Sequence, residues 1–245
     1  MRLRGANPIY SRTDFSMGYS DVDSASYSGV AAKTSILLGI IAIIAMYMSL
    51  RLEGSATPTL MITGMIVAPI IAIIMVVVTH RNPQIAMFTT VIYAICEGLF
   101  LGFISSLFAW YYGGEIIQMA LLGTFGVMAG MLFLYTTGII RVGAFFRRLM
   151  FSMLIGLIGA SLLLLLLYLF GVSWMVFDGL YIGIVLISVV VSSLYLLIDF
   201  DNITNYVSAG APKQLEWTLA LGLVVTIVWL YVELLRLIAI LNRKR

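Results

Sequence analysis

The sequence predicts an all-α integral membrane protein, a bundle of seven transmembrane helices, and three observations carry that expectation. Hydrophobic residues make up 62% of the 245-residue chain and charged residues only 10%, too few to give a globule of this size a polar skin. The ionisable residues are spaced so that seven charge-poor runs each approach the roughly twenty apolar residues that a bilayer core demands of a helix. The connections between these runs are short, so no second soluble domain fits among them.

The first run, Thr34 to Leu50, is held between Lys33 and Arg51, and the second extends from about Thr57 to Thr79 before "HRNP". Pro69 inside the second run predicts a kink, which membrane helices tolerate when neighbours or water satisfy the freed carbonyl. The third run starts after Pro83, a residue suited to a first helical turn, and continues to Tyr112 with Glu97 as its one charge. The fourth is Ile116 to Ile140, and the fifth, Leu149 to Phe170, contains "SLLLLLLYLF". The sixth is Gly179 to Ile198, and the seventh, Trp217 to Leu241, carries Glu233 and Arg236. Small residues recur as Gly98-x-x-x-Gly102 and Gly126-x-x-x-Gly130, a spacing that predicts close helix packing within the bundle.

The first 33 residues are polar and rich in Ser, Tyr and Asp, so they read as a disordered tail without the early apolar stretch of a signal peptide. Residues 34–245 then form the membrane domain. With the amino terminus inside, that side collects Arg2, Arg4, Arg12, Lys33, Arg81, Arg141, Arg147, Arg148 and Lys213, against Arg51 and the terminal "NRKR" outside. The positive-inside bias therefore places the amino terminus in the cytoplasm. A seventh segment that folds back would return the basic tail to the inner face, and the sequence leaves that choice open.

Nothing points to enzymatic chemistry or to a cofactor. The single Cys96 lies in an apolar run with no partner for a disulfide or a cysteine-based metal site, and His80 reads as a boundary residue beside Arg81. HExxH, Walker and GxSxG motifs are absent, as is any Ser/His pairing. An intramembrane aspartyl protease lacks its GxGD context, and Asp199 and Asp201 stand too close on one helix to flank a peptide bond. The expected partners are membrane lipid and calcium or protons, with no nucleic acid; which residues would hold a metal is left open.

The informative residues are the acids inside the apolar runs, because a charge in hydrocarbon costs about 3 kcal/mol even on translocon scales. Glu97 lies roughly 20 Å beyond Pro83 at helical rise, out of reach of headgroups. It reads either as a hydrogen-bonded structural carboxyl or as part of an ion or proton path. Asp199 and Asp201 are separated by about 200° of helical turn, so at most one faces inward; the alternative is a helix ending in water. Glu233 and Arg236 are spaced i, i+3 and can neutralise each other locally. Taken together, Asp199, Glu97 and Glu233 form an inner, middle and outer series of acids.

"AICEGLFLG" (94–102), "LYLLIDFDNI" (194–203) and "WLYVELLRLIAIL" (229–241) together resemble the Bax inhibitor-1 family of seven-helix membrane proteins, and "NPIYSR" (7–12) looks closest to a bacterial branch of it. The resemblance implies six helices around a central seventh, a bacterial cell membrane location, and calcium leaking through the bundle in a pH-dependent way. It also implies an Asp ending the sixth helix, matched by Asp199, paired with an Asp in the seventh. Gapless matching of "LLR" (234–236) puts Thr226 at that second position. Two close carboxylates share a proton and titrate as a coupled unit, and without an acid at 226 that switch is in question. Either Glu233 substitutes from another depth, or Asp199 takes a basic partner such as Arg81, Arg147 or Arg148.

The resulting expectation is a pH-sensitive cation leak, for calcium, gated by Asp199, Glu97, Glu233 and Asp201. Hard cations prefer oxygen ligands, and isolated acids at different depths suit weak sequential binding. The alternatives are a proton-coupled transporter using the same acids and a membrane scaffold that regulates partner proteins in stress responses through its loops.

Overall fold

The computed structural model describes residues 24–55, 63–170 and 178–243. Within them the chain forms seven long helices: α1 Tyr27–Ser55, α2 Ala68–Arg81, α3 Ala86–Tyr112, α4 Glu115–Thr136, α5 Ala144–Leu169, α6 Asp178–Ser208 and α7 Leu215–Arg243. A π turn, Thr63–Val67, leads into α2, and a 3-10 turn, Pro83–Ile85, leads into α3. All seven are long and apolar enough to cross a membrane once the leading turns are included. No β-strand occurs among the described residues, apart from an isolated bridge between Ser24 and Pro212. The protein is an integral membrane helix bundle.

The helices overrun the charge-free segments, and the reason is physical: a charge ends a hydrophobic run but does not end a helix. α1 begins at Tyr27 rather than Thr34, with Ser26 as its N-cap, its hydroxyl accepting the Gly29 N–H at 3.0 Å. The rest of the expected tail, residues 1–23, lies outside the described residues, as does the start of the second run at Thr57. Pro69 stands at the second position of α2, directly after the π turn, where a missing N–H is tolerated. α4 stops at Thr136, short of Ile140, because Gly138 takes the left-handed conformation (φ +71°) that closes a helix. α5 starts at Ala144, so Arg147 and Arg148 stand on its first turns and not in a loop. α6 runs ten residues beyond Ile198 to Ser208, so neither Asp199 nor Asp201 marks a helix ending in water.

α7 is the central helix. α1, α3, α4 and α6 pack along it and α2 touches it, whereas α5 leans chiefly on α6. Leu221, Val224, Leu230 and Leu235 of α7 are fully buried and dominate the core. The remaining large apolar side chains face outward, as hydrocarbon solvent permits, on α5 most of all. α7 is unbroken and reaches the far side, where Tyr231 meets Ser105 of α3 and Leu234 meets Gly123 of α4. The starts of α1, α3, α5 and α7 share one end, called here the Glu216 end; the end of α7 lies at the other, the Glu233 end.

Of the two glycine pairs, only the first packs within the bundle. A Cβ at Gly98 would stand 2.9 Å from the Ile41 carbonyl, and one at Gly102 would stand 2.8 Å from the Ala45 carbonyl, so α1 and α3 touch through bare backbone. Gly126 and Gly130 have nothing within 4 Å and face outward on α4, contrary to the expectation of close packing there.

Candidate functional site

Asp199 is the acid with the least conventional surroundings. It projects from α6 toward α7, its Oδ1 3.9 Å from where a Cβ on Gly222 would stand. The Thr226 hydroxyl, one turn further along α7, is within its reach and donates to the Gly222 carbonyl at 3.3 Å. Thr226 thus stands beside Asp199, in the place where the family resemblance expects an aspartate. Oδ2 of Asp199 is buried and accepts no hydrogen bond. Asp199 lies at a cavity of about 250 Å³ lined also by His80, Asn202, Tyr206, Thr218 and Gly222 among others. A second orphaned atom, Thr218 Oγ1, belongs to the same cavity. Two buried oxygens without partners, on two residues that line one cavity, call for a polar guest such as water or a cation.

The basic partner expected for Asp199 goes elsewhere. Arg147 of α5 pairs with Asp201 Oδ2 and donates to Asn202 Oδ1 at 2.9 Å. Asp201 also accepts from Asn205 at 3.0 Å and from the Tyr135 hydroxyl at 3.4 Å. The 200° between the two aspartates therefore separates a latched one from an inward one. Arg147 stays within electrostatic range of Asp199 without bonding to it. Arg81 and Arg148 pair with no carboxylate among the described residues. His80, read from sequence as a boundary residue, lines the Asp199 cavity, its Nδ1 3.1 Å from the Val76 carbonyl.

Glu97 is half-buried on α3, on the face shared with the buried Tyr93 and Leu101 four residues to either side. It forms no hydrogen bond or ion pair with another described residue and lines neither of the two cavities detailed here. Glu233 Oε1 accepts from Trp229 Nε1 at 3.2 Å and from Arg236 at 3.4 Å, the local pair that the spacing anticipated. Its Oε2 is buried and unpartnered, and it borders a second cavity of about 300 Å³ between α5, α6 and α7. Between the two cavities α7 contributes Val224, Ile227, Val228 and Leu230, all buried, over roughly 16 Å of helix. No group of three or more His, Cys, Asp or Glu converges among the described residues.

One acid escaped the sequence reading. Glu216 sits in the first turn of α7 with 0% exposure, paired with Lys33 of α1 and accepting the Ser26 N–H at 2.8 Å and the Ser26 hydroxyl at 3.1 Å. In an ordinary capping box the third residue of a helix supplies the carboxylate that accepts the N-cap N–H. Here that third residue is Gly29, and the carboxylate arrives from another helix through the space its missing side chain leaves. Lys33 also lies 5.4 Å from the Trp217 ring centroid. Glu216 adjoins the apolar run at Trp217, so a count of charges inside runs passes over it.

A family model described as Bax inhibitor 1 like matches residues 7–243. Comparison with curated proteins finds no match.

Proposed function

The chain belongs to the Bax inhibitor 1 like family, and on that premise we propose that it is a pH-sensitive cation leak, for calcium, with its entrance at the Asp199 cavity. The observation that carries this reading is the buried Asp199 oxygen without a partner, next to the equally unpartnered Thr218 hydroxyl. A hard cation shedding part of its water would find a carboxylate, a hydroxyl and the Asn202 amide oxygen there. So sparse a set favours transit over storage. The buried stretch of α7 from Val224 to Leu230 represents the closed path, and conduction requires α7 to shift against its neighbours. Glu97, at middle depth, would be the next acid a cation meets.

In this reading Asp199 supplies the pH response. Arg147 is held at the entrance by Asp201 and Asn202 and by the field of ionised Asp199, and protonating Asp199 loosens that hold. The positive-inside bias among Lys33, Arg81, Arg141, Arg147, Arg148 and Lys213 would turn this end to the cytoplasm of a bacterial cell.

The test is calcium flux into proteoliposomes over about pH 5 to 8, the range in which perturbed carboxylates titrate, for wild type, Asp199→Asn and Glu97→Gln. Wild type should carry calcium above empty liposomes, and Asp199→Asn should lose the pH dependence. Absence of wild-type flux throughout that range overturns the leak. Solute-dependent acidification of the lumen would instead identify a proton-coupled transporter.

A further inference from the structure

The Glu233 cavity offers a different chemistry from the Asp199 cavity, and we infer that it binds the headgroup of an amine-bearing zwitterionic phospholipid. Its walls are Ser161 and Leu165 of α5, Tyr181 and Ile184 of α6, and Glu233 and Arg236 of α7. α5 leans chiefly on α6 and not on α7, so the two helices part and the cavity lies toward the surrounding lipid. Tyr181 is one turn from the start of α6 and Arg236 about 10 Å from the end of α7, while Ser188 and Glu233 lie about 15 Å from those ends, so the cavity runs inward from glycerol depth and a headgroup enters it by dipping below the interface.

The two charges in it are complementary to one molecule. Glu233 has a side chain only 8% exposed, with Oε1 occupied by Trp229 and Arg236 and Oε2 lacking any donor. An unfilled buried carboxylate oxygen calls for an N–H, and a primary ammonium has three to give. Arg236 has a side chain 44% exposed and spends one long hydrogen bond, 3.4 Å, on Glu233. The rest of its guanidinium fork is free to take a phosphate oxygen. Ammonium and phosphate two carbons apart, with acyl chains descending along Leu165 and Ile184, satisfy both. A bare cation would satisfy Glu233 but be repelled by Arg236, and a bare anion the reverse.

Native mass spectrometry of the full chain, titrated in detergent with three phospholipids, tests this. Phosphatidylethanolamine offers both charges with N–H donors, phosphatidylcholine both charges without such donors, and phosphatidylglycerol the phosphate alone. Phosphatidylethanolamine should bind roughly tenfold more tightly than the other two, the worth of one charge-assisted hydrogen bond. Glu233→Gln should bring it down to the level of phosphatidylglycerol, and Arg236→Gln should weaken all three. Ser161→Phe fills the cavity from the peripheral helix without touching either charge, and should lower phosphatidylethanolamine occupancy even if Glu233→Gln fails to fold. Equal binding of the three lipids by wild type, as expected if water alone fills the cavity, overturns the inference. So does a phosphatidylethanolamine preference that survives Glu233→Gln or Ser161→Phe.

Discussion

Replacing Gly29 by alanine should destabilise the protein although the same change helps most helices. In an exposed helix interior, Gly→Ala stabilises by about 1 kcal/mol. At position 29 the added methyl would overlap the Glu216 carboxylate, which is fully buried and already engaged by Ser26 and Lys33. The carboxylate must withdraw from those partners, and disrupting a buried ion pair costs roughly 3–5 kcal/mol. Lys33, with 15% of its side chain exposed, can turn partly to water, so the lower end of that range applies. Subtracting the gain in helix propensity leaves a net loss of about 2 kcal/mol, or about 4–8 °C in Tm for a chain of this size. The assay is thermal unfolding of purified protein in detergent micelles followed by tryptophan fluorescence, with Trp217 beside Lys33 as a local reporter. Lys33→Met should lose at least as much, because Glu216 then keeps its burial without its cation. A Gly29→Ala midpoint equal to or above wild type would refute the cross-helix cap.

The two glycine pairs should behave oppositely: Gly98→Ala forces α1 from α3 and costs about 1–3 kcal/mol, whereas Gly126→Ala, unobstructed on α4, should stabilise by up to about 1 kcal/mol, both read from unfolding midpoints. Tyr231→Phe strips the 2.8 Å hydrogen bond to Ser105 and should cost about 1 kcal/mol, the worth of a typical interhelical bond in a membrane; no change would mean that Ser105 finds another partner. Arg147→Gln unties α5 from Asp201 at a half-exposed site, so stability should fall by no more than about 1 kcal/mol. Calcium flux near pH 7 should rise in the same variant, and unchanged flux would remove Arg147 from the gate.

The seven spans were legible because hydrocarbon enforces length and charge exclusion, and both are written in the order of residues. Helix ends were not, since Asp199, Arg147 and Glu216 interrupt apolarity while leaving backbone hydrogen bonding intact. The opposite orientation of Asp199 and Asp201 followed from helical geometry alone. Which of them Arg147 would choose did not, because that depends on how α5 leans on α6. The Glu233–Arg236 pair was readable as a local spacing, whereas the cavity beside it arises from the gap between α5 and α7. Gly98 and Gly126 share one motif, and only three-dimensional neighbours distinguish them.

The cross-helix cap also bears on how the protein is made. Ser26 and Glu216 are 190 residues apart, so during synthesis α1 enters the bilayer long before the carboxylate that completes it exists. Until α7 emerges, the Ser26 N–H lacks that acceptor and Lys33 lacks its counter-ion, on a helix already joined to α3 through bare glycine backbone. The seventh of the described helices is the one that closes the first and fills the centre of the bundle. A nascent chain that ends before residue 215 would hold an assembly with its inner faces uncovered and Lys33 unneutralised. Closure of α1 is thereby tied to the arrival of α7.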